Sequence, residues 1–321
     1  MMARRNTGAA LLAAMLTVAL VASMAAAALW QQWRSVEVEM AERARVQSLW
    51  VLTGALDWAR LILREDGRSV GADHLGEPWA VPLEEARLST FLAADKGVAT
   101  NTTDDATQAF LSGYITDLQG RMNVLNLVVD GKPSEPTVRA FEKLFEKLGL
   151  PRSELGALVE NLRFAQDTSS TNGSARMAPL MPQRVGQLVW LGLSQRSLAI
   201  LQPYITLLPV RTPVNLNTAS APVLFAIIPG LDMAQAERLV STRQLAHFRV
   251  IADAGKVVPD AAGDLNDNLH SVKSDFFEIH GRLRLDQTVV DERSVVQRNV
   301  SAVKTLWRDR GSVGVQTATL Q

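Results

Sequence analysis

An uncharged run of 21 residues, 9–29, lies near the amino terminus and is the strongest constraint on what this chain can form. At about 1.5 Å per residue, a helix of this length spans the roughly 30 Å hydrocarbon core of a bilayer. Arg4 and Arg5 precede the run, which favours a cytoplasmic amino terminus. We therefore predict a single membrane-spanning helix, with the rest of the chain on the far side of the membrane.

A cleaved secretory signal peptide is the alternative, because a basic start, an apolar stretch and the small residues 25–27 imitate a cleavage site. The run is long for a signal peptide. Trp30 and Trp33 follow it directly, and amphipathic rings at the end of an apolar span suit the membrane interface. These features favour a retained helix. The two arginines also suggest a twin-arginine export signal, but "ARRNTG" lacks the apolar residues expected after them.

Gly8 lies at the junction between the basic leader "MMARRNT" and the apolar run. Glycine lets an extended backbone enter a narrow cleft, because it has no side chain. The junction resembles the leader of type IV prepilins, in which a peptidase at the cytoplasmic face cleaves after a glycine and leaves the apolar segment attached. This resemblance implies cleavage between Gly8 and Ala9.

The segment after Trp33, "RSVEVEMAERARVQSLWVLTGALDWARLILRE", contains no proline and keeps a helical period. Its inward-facing positions are predicted to be Val46, Leu49, Thr53, Leu56, Ala59 and Leu63. An amphipathic helix therefore continues from the membrane span, for about 50 residues in all. A signal anchor followed by an unrelated helix is the alternative.

Two further segments occur in a fixed order, "DLQGRMNVLNLV" at 117–128 and "VNLNTASAPVLFAIIPGLDMAQAERLVSTR" at 214–243. Together with the leader, they resemble the K-type minor pseudopilins of bacterial type II secretion systems over nearly the whole chain. The resemblance implies an α+β fold, in which a long pilin-like amino-terminal helix packs on an antiparallel β-sheet. It also implies a large inserted α-helical domain with a helix-hairpin-helix-like segment.

This organisation divides the chain into six predicted segments. They are the prepilin leader (1–8), the transmembrane part (9–29) and periplasmic part (30–65) of the first helix, the first part of the pilin-like head (66–120), the inserted α-helical domain (121–265) and the carboxy-terminal strands of the head (266–321). In the last segment, alternating apolar residues predict strands, with interruptions at Gly281 and at Asp291 and Glu292.

Helix signals are clear within the predicted insert. "SEPTVRAFEKLFEKLGLP" has Ser134 or Thr137 as a cap and Gly149 as a stop, and the next helix is predicted to start at Ser153. Its apolar stripe is predicted to consist of Phe141, Leu144, Phe145 and Leu148.

The helix-hairpin-helix-like segment starts at Thr218 or Ser220, turns at Pro229 and Gly230, and continues in a helix capped by Asp232, with Gln235 as its capping-box partner. Such hairpins often bind DNA phosphates through backbone amides, so a soluble periplasmic DNA-binding-like protein with a cleaved signal peptide is the alternative function. The Asp232 carboxylate occupies these amides and repels phosphate. The 33 basic and 33 acidic residues also leave no net positive charge. We predict no nucleic-acid binding.

No catalytic or cofactor site is predicted. The chain has no cysteine, its four histidines (His74, His247, His270 and His280) lack metal-ligand spacing, and no nucleophile motif or phosphate loop occurs. The K-type resemblance brings calcium sites, but the acidic cluster that forms them is largely missing: Asp167 is the one carboxylate near Asn172 in that stretch. Because calcium needs six to eight oxygen ligands, no calcium site is predicted.

The resemblance also implies a position in the machine. Family members generally carry a glutamate as the fifth residue after the cut, where it pairs with the free amine of the subunit above. Here the fifth residue is Ala13. A subunit at the tip has none above it, so Ala13 indicates the tip of the pseudopilus. The chain also has Ala9 where pilins commonly have phenylalanine.

The predicted function is therefore that of a tip subunit, one that caps or initiates the pseudopilus and supports protein export across the outer membrane. The implied partners are the I-type and J-type minor pseudopilins, the prepilin peptidase, and the outer-membrane secretin or secreted cargo. The implied location is the bacterial inner membrane, with the head in the periplasm and a methylated amino terminus.

Overall fold

The structure is a computed structural model. It describes residues 7–69, 71–88, 109–167, 178–285, 288–299, 302–311 and 314–315. Residues 1–6 of the predicted leader therefore lie outside the described residues, and so do Asn172 and most of the carboxy-terminal tail.

Seven α-helices and twelve strands are described in these ranges. The helices are α1 (Thr7–Asp66), α2 (Glu135–Lys147), α3 (Arg152–Gln166), α4 (Gln195–Leu201), α5 (Ala221–Ile227), α6 (Met233–Leu245) and α7 (Ile251–Val257). The strands are β1 (Leu83–Arg87), β2 (Ala109–Asp117), β3 (Met122–Asn123), β4 (Val128–Val129), β5 (Lys132–Pro133), β6 (Ile205–Thr206), β7 (Val214–Asn215), β8 (His270–Ser271), β9 (Phe276–Leu285), β10 (Thr288–Arg298), β11 (Val303–Arg310) and β12 (Gly314–Val315).

Helix α1 is continuous over 60 residues, as a sequence without proline allows. From residue 9 to residue 43, every side chain is exposed, including the whole apolar run. Among the described residues, α1 is also the one helix with the length and apolar composition to cross a membrane. The protein thus has a long stem, whose first half has no packing partner within the described part of the chain.

The second half of α1 packs on one face of the main sheet. Leu52, Leu56 and Leu63 are almost completely buried there, and each such leucine contributes about 2 kcal/mol of hydrophobic free energy. The predicted apolar stripe is confirmed at Leu56, Ala59 and Leu63. It is wrong at Val46, which stays 49% exposed, because the buried part of the helix begins at Ser48.

The main sheet is antiparallel in the order β1-β2-β9-β10-β11, with β12 paired to β10. Strands β2 and β9 are neighbours, although residues 118–275 separate them in the sequence. We call the sheet with the second half of α1 the head, and residues 118–275 the insert. The α+β fold class is confirmed, whereas the six segment boundaries given above stay predictions.

The predicted interruptions in the carboxy-terminal strands are wrong. Gly281 lies inside β9, where it pairs with β2 and β10, and a Cβ at this position would lie 2.8 Å from Leu52 Cδ1. The absence of a side chain at Gly281 therefore leaves room for the stem helix. Asp291 and Glu292 lie inside β10, and the buried Glu292 carboxylate is neutralised by Arg308 on β11 at 2.7 Å.

The insert has its own apolar core, formed by α2 to α7. The stripe on α2 is confirmed, since Phe141, Leu144 and Phe145 are buried and Leu148 packs against them. Ser134, one of the two predicted caps, is the N-cap residue of α2, but its hydroxyl bonds the Thr137 hydroxyl and makes no capping hydrogen bond to the helix. The predicted start of α3 at Ser153 is wrong, because Pro151 is the N-cap residue and the helix already begins at Arg152.

Candidate functional site

The two sequence segments singled out above meet at a buried carboxylate between head and insert. Asp117, the last residue of β2, accepts hydrogen bonds from the Ser274 hydroxyl at 2.6 Å and from the Thr218 hydroxyl at 2.6 Å. It also accepts hydrogen bonds from the backbone N–H of Gln119 at 2.7 Å and from Asn215 Nδ2 at 3.1 Å. Burial raises the pKa of Asp117, although these donors oppose the rise. The carboxylate therefore joins both segments to the start of β9.

Two asparagines extend this connection through the insert. Asn123 Nδ2 donates to the Val210 carbonyl at 2.8 Å, and its Oδ1 accepts from the Leu208 amide. Asn126 bonds both backbone groups of Thr212, donating to the carbonyl at 2.7 Å and accepting from the amide at 3.2 Å. These side chains replace main-chain partners for an irregular buried segment, which would otherwise hold unpaired polar groups.

Arg298 connects the junction to the end of the stem. Its guanidinium donates to the carboxylates of Asp66, the last residue of α1, and Asp73, and to the Ser274 carbonyl at 2.7 Å. The guanidinium carbon also lies 4.7 Å from the centre of the Phe277 ring. The three charged side chains are at most 10% exposed. A continuous polar network thus runs from the stem through β10 to the insert.

The network contains more carboxylates than cations. Asp66, Asp73 and Glu77 bring oxygens within 4.8 Å of one another, and Arg298 bonds two of the three. Burial raises the pKa of Asp66 to about 6, and the nearby Glu77 charge adds to the rise. The single positive charge of Arg298 offsets only part of the negative charge of Asp66 and Asp73, so the group keeps an excess of carboxylates.

The helix-hairpin-helix-like turn lies on the surface of the insert. Gly230 has φ +70°, a conformation that favours glycine, and Asp232 caps α6. The Asp232 carboxylate accepts a hydrogen bond from the backbone N–H of Gln235 at 2.7 Å. The side-chain Oε1 of Gln235 accepts one from the backbone N–H of Asp232 at 3.0 Å. The predicted capping box is confirmed.

Two cations beside this turn bond backbone carbonyls of the insert. Lys143 on α2 donates to the Ile228 and Leu231 carbonyls of the turn, at 3.1 and 3.3 Å, which attaches the hairpin to the insert core. Arg243 on α6 is committed to the Leu216 carbonyl, and burial lowers its pKa to about 10. The hairpin is therefore a structural unit of the insert.

Comparison with known proteins indicates a family. Two family models, both described as type II secretion system (T2SS) protein K, match residues 120–210 and 214–273. The type II secretion system protein K of Pseudomonas aeruginosa is 27% identical over 98% of this chain and 96% of its own length. The protein of the same name from Pectobacterium carotovorum subsp. carotovorum is also 27% identical, over 97% of this chain and 98% of its own.

These matches support a minor pseudopilin of the type II secretion system protein K family. The amino-terminal apolar helix fits a single transmembrane anchor. The family models cover the second segment and most of the first, while the junction residues Asp117 and Ser274 lie just outside the matched ranges. The alternative of a soluble DNA-binding-like protein has no support from these matches.

A solved structure supports the fold of this K-type pseudopilin. The crystal structure of the GspK–GspI–GspJ complex from the enterotoxigenic Escherichia coli type 2 secretion system contains a chain that is similar with a TM-score of 0.59. The two chains are 17% identical, and the match covers 85% of this chain and 98% of the other. Likeness at this identity concerns the fold.

The predicted leader residues of the K-type pseudopilin lie at the start of the stem. Gly8 is in the first turn of α1, and Ala9 and Ala13 follow on the same helix with exposed side chains. No acidic residue lies in the first turn. Cleavage between Gly8 and Ala9 and the significance of Ala13 stay predictions.

Calcium was expected to be absent despite the family resemblance. Asp167, at the end of α3, belongs to no group of three carboxylates or imidazoles within the described residues, and Asn172 lies outside them. The ligands described there do not fit calcium, which needs six to eight oxygens. The absence of calcium stays a prediction.

Sequence analysis missed the residues that complete the junction, namely Asp73, Ser274 and Arg298. They lie far from both recognised segments, in stretches without a motif. The strongest available signal was the concentration of polar residues within the otherwise apolar "VNLNTAS", where Asn215 and Asn217 are completely buried. Buried amides in such a run indicate a hydrogen-bonded joint.

Proposed function

We propose that this K-type pseudopilin occupies the tip of the type II secretion pseudopilus. The stem anchors it in the inner membrane after cleavage at Gly8, and the head and insert lie in the periplasm. The subunit caps and initiates the filament that supports protein export across the outer membrane. Its role is structural, with no catalytic step assigned to it.

The observation that carries this proposal is the position of the insert relative to the stem. The apolar half of α1 is at its amino-terminal end, whereas Arg298 joins Asp66, at the other end, to the junction with the insert. The insert is therefore attached at the end of the stem that lies farthest from the membrane. A bulky helical domain there obstructs any subunit stacking above this one.

The amino terminus of the stem supports the same position. In an apolar bundle, a carboxylate at the fifth mature residue stabilises the free amine of a neighbouring subunit. Ala13 offers no such group, so this stem does not neutralise an amine above it. A tip subunit has no neighbour there, and therefore loses nothing by having alanine.

The solved complex suggests the partners. Because the chain similar to this one was crystallised with GspI and GspJ, we propose I-type and J-type minor pseudopilins as the direct partners. The prepilin peptidase acts earlier, at Gly8, and the secretin or the cargo meets the leading surface.

Substituting Ala13→Glu in the native cells tests the tip position. If the charge argument holds, the new carboxylate accepts an amine from above and the subunit no longer stays at the tip. We expect a lower yield of the I–J–K complex and reduced secretion, whereas Ala13→Gln keeps both. Equal amounts of protein in the membrane must be verified for the two variants. An unchanged complex with unchanged secretion in Ala13→Glu contradicts the proposed position.

A further inference from the structure

A groove of about 710 Å³ separates the insert from the face of the head sheet that points away from the stem. Ile115 packs with the stem, so the neighbouring Tyr114 on β2 points to the opposite face. Residues of β9, β10 and β11 continue this wall, and residues 183–187 and the segment after α4 form the other. The groove therefore lies on a surface that stem packing leaves open.

Arginines concentrate in this groove. Arg121, Arg184 and Arg293 line it, against the carboxylates of Glu278 and Asp309. Arg184 is 3.2 Å from Asp309, and Arg293 is 3.7 Å from Glu278. The half-buried Arg121 guanidinium has no hydrogen bond or ion pair in the part of the chain that the structure describes. One cation is therefore left without a counter-charge, and its five N–H donors are unused.

Aromatic surface lies beside these cations. Tyr114 is 46% exposed and stacks on His280, with 4.8 Å between the ring centres. Trp307 contacts the Arg184 guanidinium, whose carbon lies 4.9 Å from its ring, and packs against the buried Val295. Tyrosine, tryptophan and arginine are the residue types that dominate binding energy in protein interfaces. The groove thus combines apolar contact area with an excess of charged donors.

We propose that this groove binds an extended, acidic peptide segment of a partner protein. Carboxylates of the segment pair with Arg121, and also with Arg293 by replacing its present partner, Glu278. Apolar side chains of the segment contact Tyr114 and Trp307. A free anion leaves most of the volume unfilled, whereas a peptide fills it. This site goes beyond filament assembly, because it does not involve the stem.

Binding of a fluorescein-labelled hexapeptide, Glu-Leu-Glu-Glu-Leu-Glu, to the full chain in detergent micelles tests the proposal. Fluorescence anisotropy should show saturable binding that weakens as salt rises from about 50 to about 300 mM. Two peptides with glutamine or lysine in place of glutamate should bind at least roughly tenfold more weakly. Equal binding of the glutamate and glutamine peptides, or no binding of the glutamate peptide, overturns the proposal.

A pair of charge reversals localises the binding. Arg121→Glu should weaken binding of the acidic peptide roughly tenfold or more, and Arg121→Gln should have a smaller effect in the same direction. Arg139→Glu makes the same charge change on an exposed face of α2 and should leave binding unchanged. An equal loss in Arg139→Glu shows attraction by net charge alone and overturns the site. The assay is independent of secretion, so the tip position stands or falls separately.

Discussion

Arg298 joins residues that are more than 200 positions away in the sequence. It holds Asp66 and Asp73, which lie 232 and 225 residues before it. A buried ion pair adds little net stability, because both charges lose their hydration on burial. Removing one partner is strongly destabilising, because it leaves an unpaired buried charge. A buried guanidinium of this kind therefore fixes the geometry of its partners more than it stabilises the fold. We interpret this residue as the fixed point that sets the direction of the stem against the insert.

The first prediction concerns Asp66. Its pKa is about 6 in the folded protein, above the ordinary value of 3.8, so the folded state binds the proton more tightly than the unfolded state does. The stabilisation from this group is full below about pH 4 and is lost as the pH rises through about 6. Wild type should therefore lose stability relative to Asp66→Asn between about pH 4 and pH 7.

Urea unfolding of the full chain in detergent, followed across this pH range, measures the effect. Asp57→Asn removes an exposed carboxylate from the same helix and controls for the loss of one charge. Parallel stability curves for wild type and Asp66→Asn would show that Asp66 does not titrate in this range.

The second prediction compares the two aspartates of the recognised segments. Asp117→Ala leaves buried donors of Ser274, Thr218 and Asn215 without their acceptor, and should destabilise the protein by about 3 kcal/mol. Asp232→Ala removes an exposed helix cap and should cost about 1 kcal/mol. Free energies of unfolding from urea titrations distinguish the two, and equal losses contradict the buried joint.

Single residues of the site were only partly predictable. Asp232 and Gln235 form a local capping box three residues apart, so the sequence alone identifies it. Asn123 accepts a hydrogen bond from the nearby Leu125 backbone N–H, but its other backbone partners and those of Asn126 lie 85 to 87 residues away, where no local pattern indicates them. Arg298 has no local signal at all, because nothing near it in the sequence reflects its ion pairs.

At the scale of elements, the stem packs on the sheet through a glycine. Gly281 in β9 faces Leu52 of α1, and a Cβ there would come within 2.8 Å of Leu52 Cδ1. Gly281→Val should displace the stem and destabilise the head by about 2 kcal/mol. Gly54→Ala provides the contrast: nothing lies within 4 Å of the added Cβ, and helix propensity should stabilise α1 by up to about 1 kcal/mol.

Thermal unfolding of the two variants in the same detergent decides this prediction. Unchanged thermal stability of Gly281→Val would mean that the stem does not pack closely against β9 at this position.

Elements with a regular local period were predicted well, and those shaped by distant contacts were not. The apolar stripe of α2 and the two halves of the hairpin, α5 and α6, follow from spacing and caps. Gly281 was predicted to end a strand because glycine usually weakens one, whereas here a helix from the other end of the chain requires it. The pairing of β2 with β9 across the insert has no local signal either.

At the scale of the whole molecule, the apolar half of α1 is separate from the head and the insert. The apolar half of α1 has no partner within the described residues, its second half forms the core of the head, and the insert is attached at the far end. The proposed assembly through stem helices and the proposed peptide binding between head and insert therefore use different surfaces. The arginine-rich groove between head and insert lies on the second of these surfaces.

The central claim is that the apolar stem is retained after the leader is cleaved. Intact-mass and amino-terminal analysis of the protein purified from its own cells tests it directly, with Gly8→Val as an uncleaved control. We predict a mature chain that begins at Ala9 and carries a methylated amino terminus. A chain that begins near Ala28 would mean that the apolar run is a discarded signal peptide, and would contradict the account.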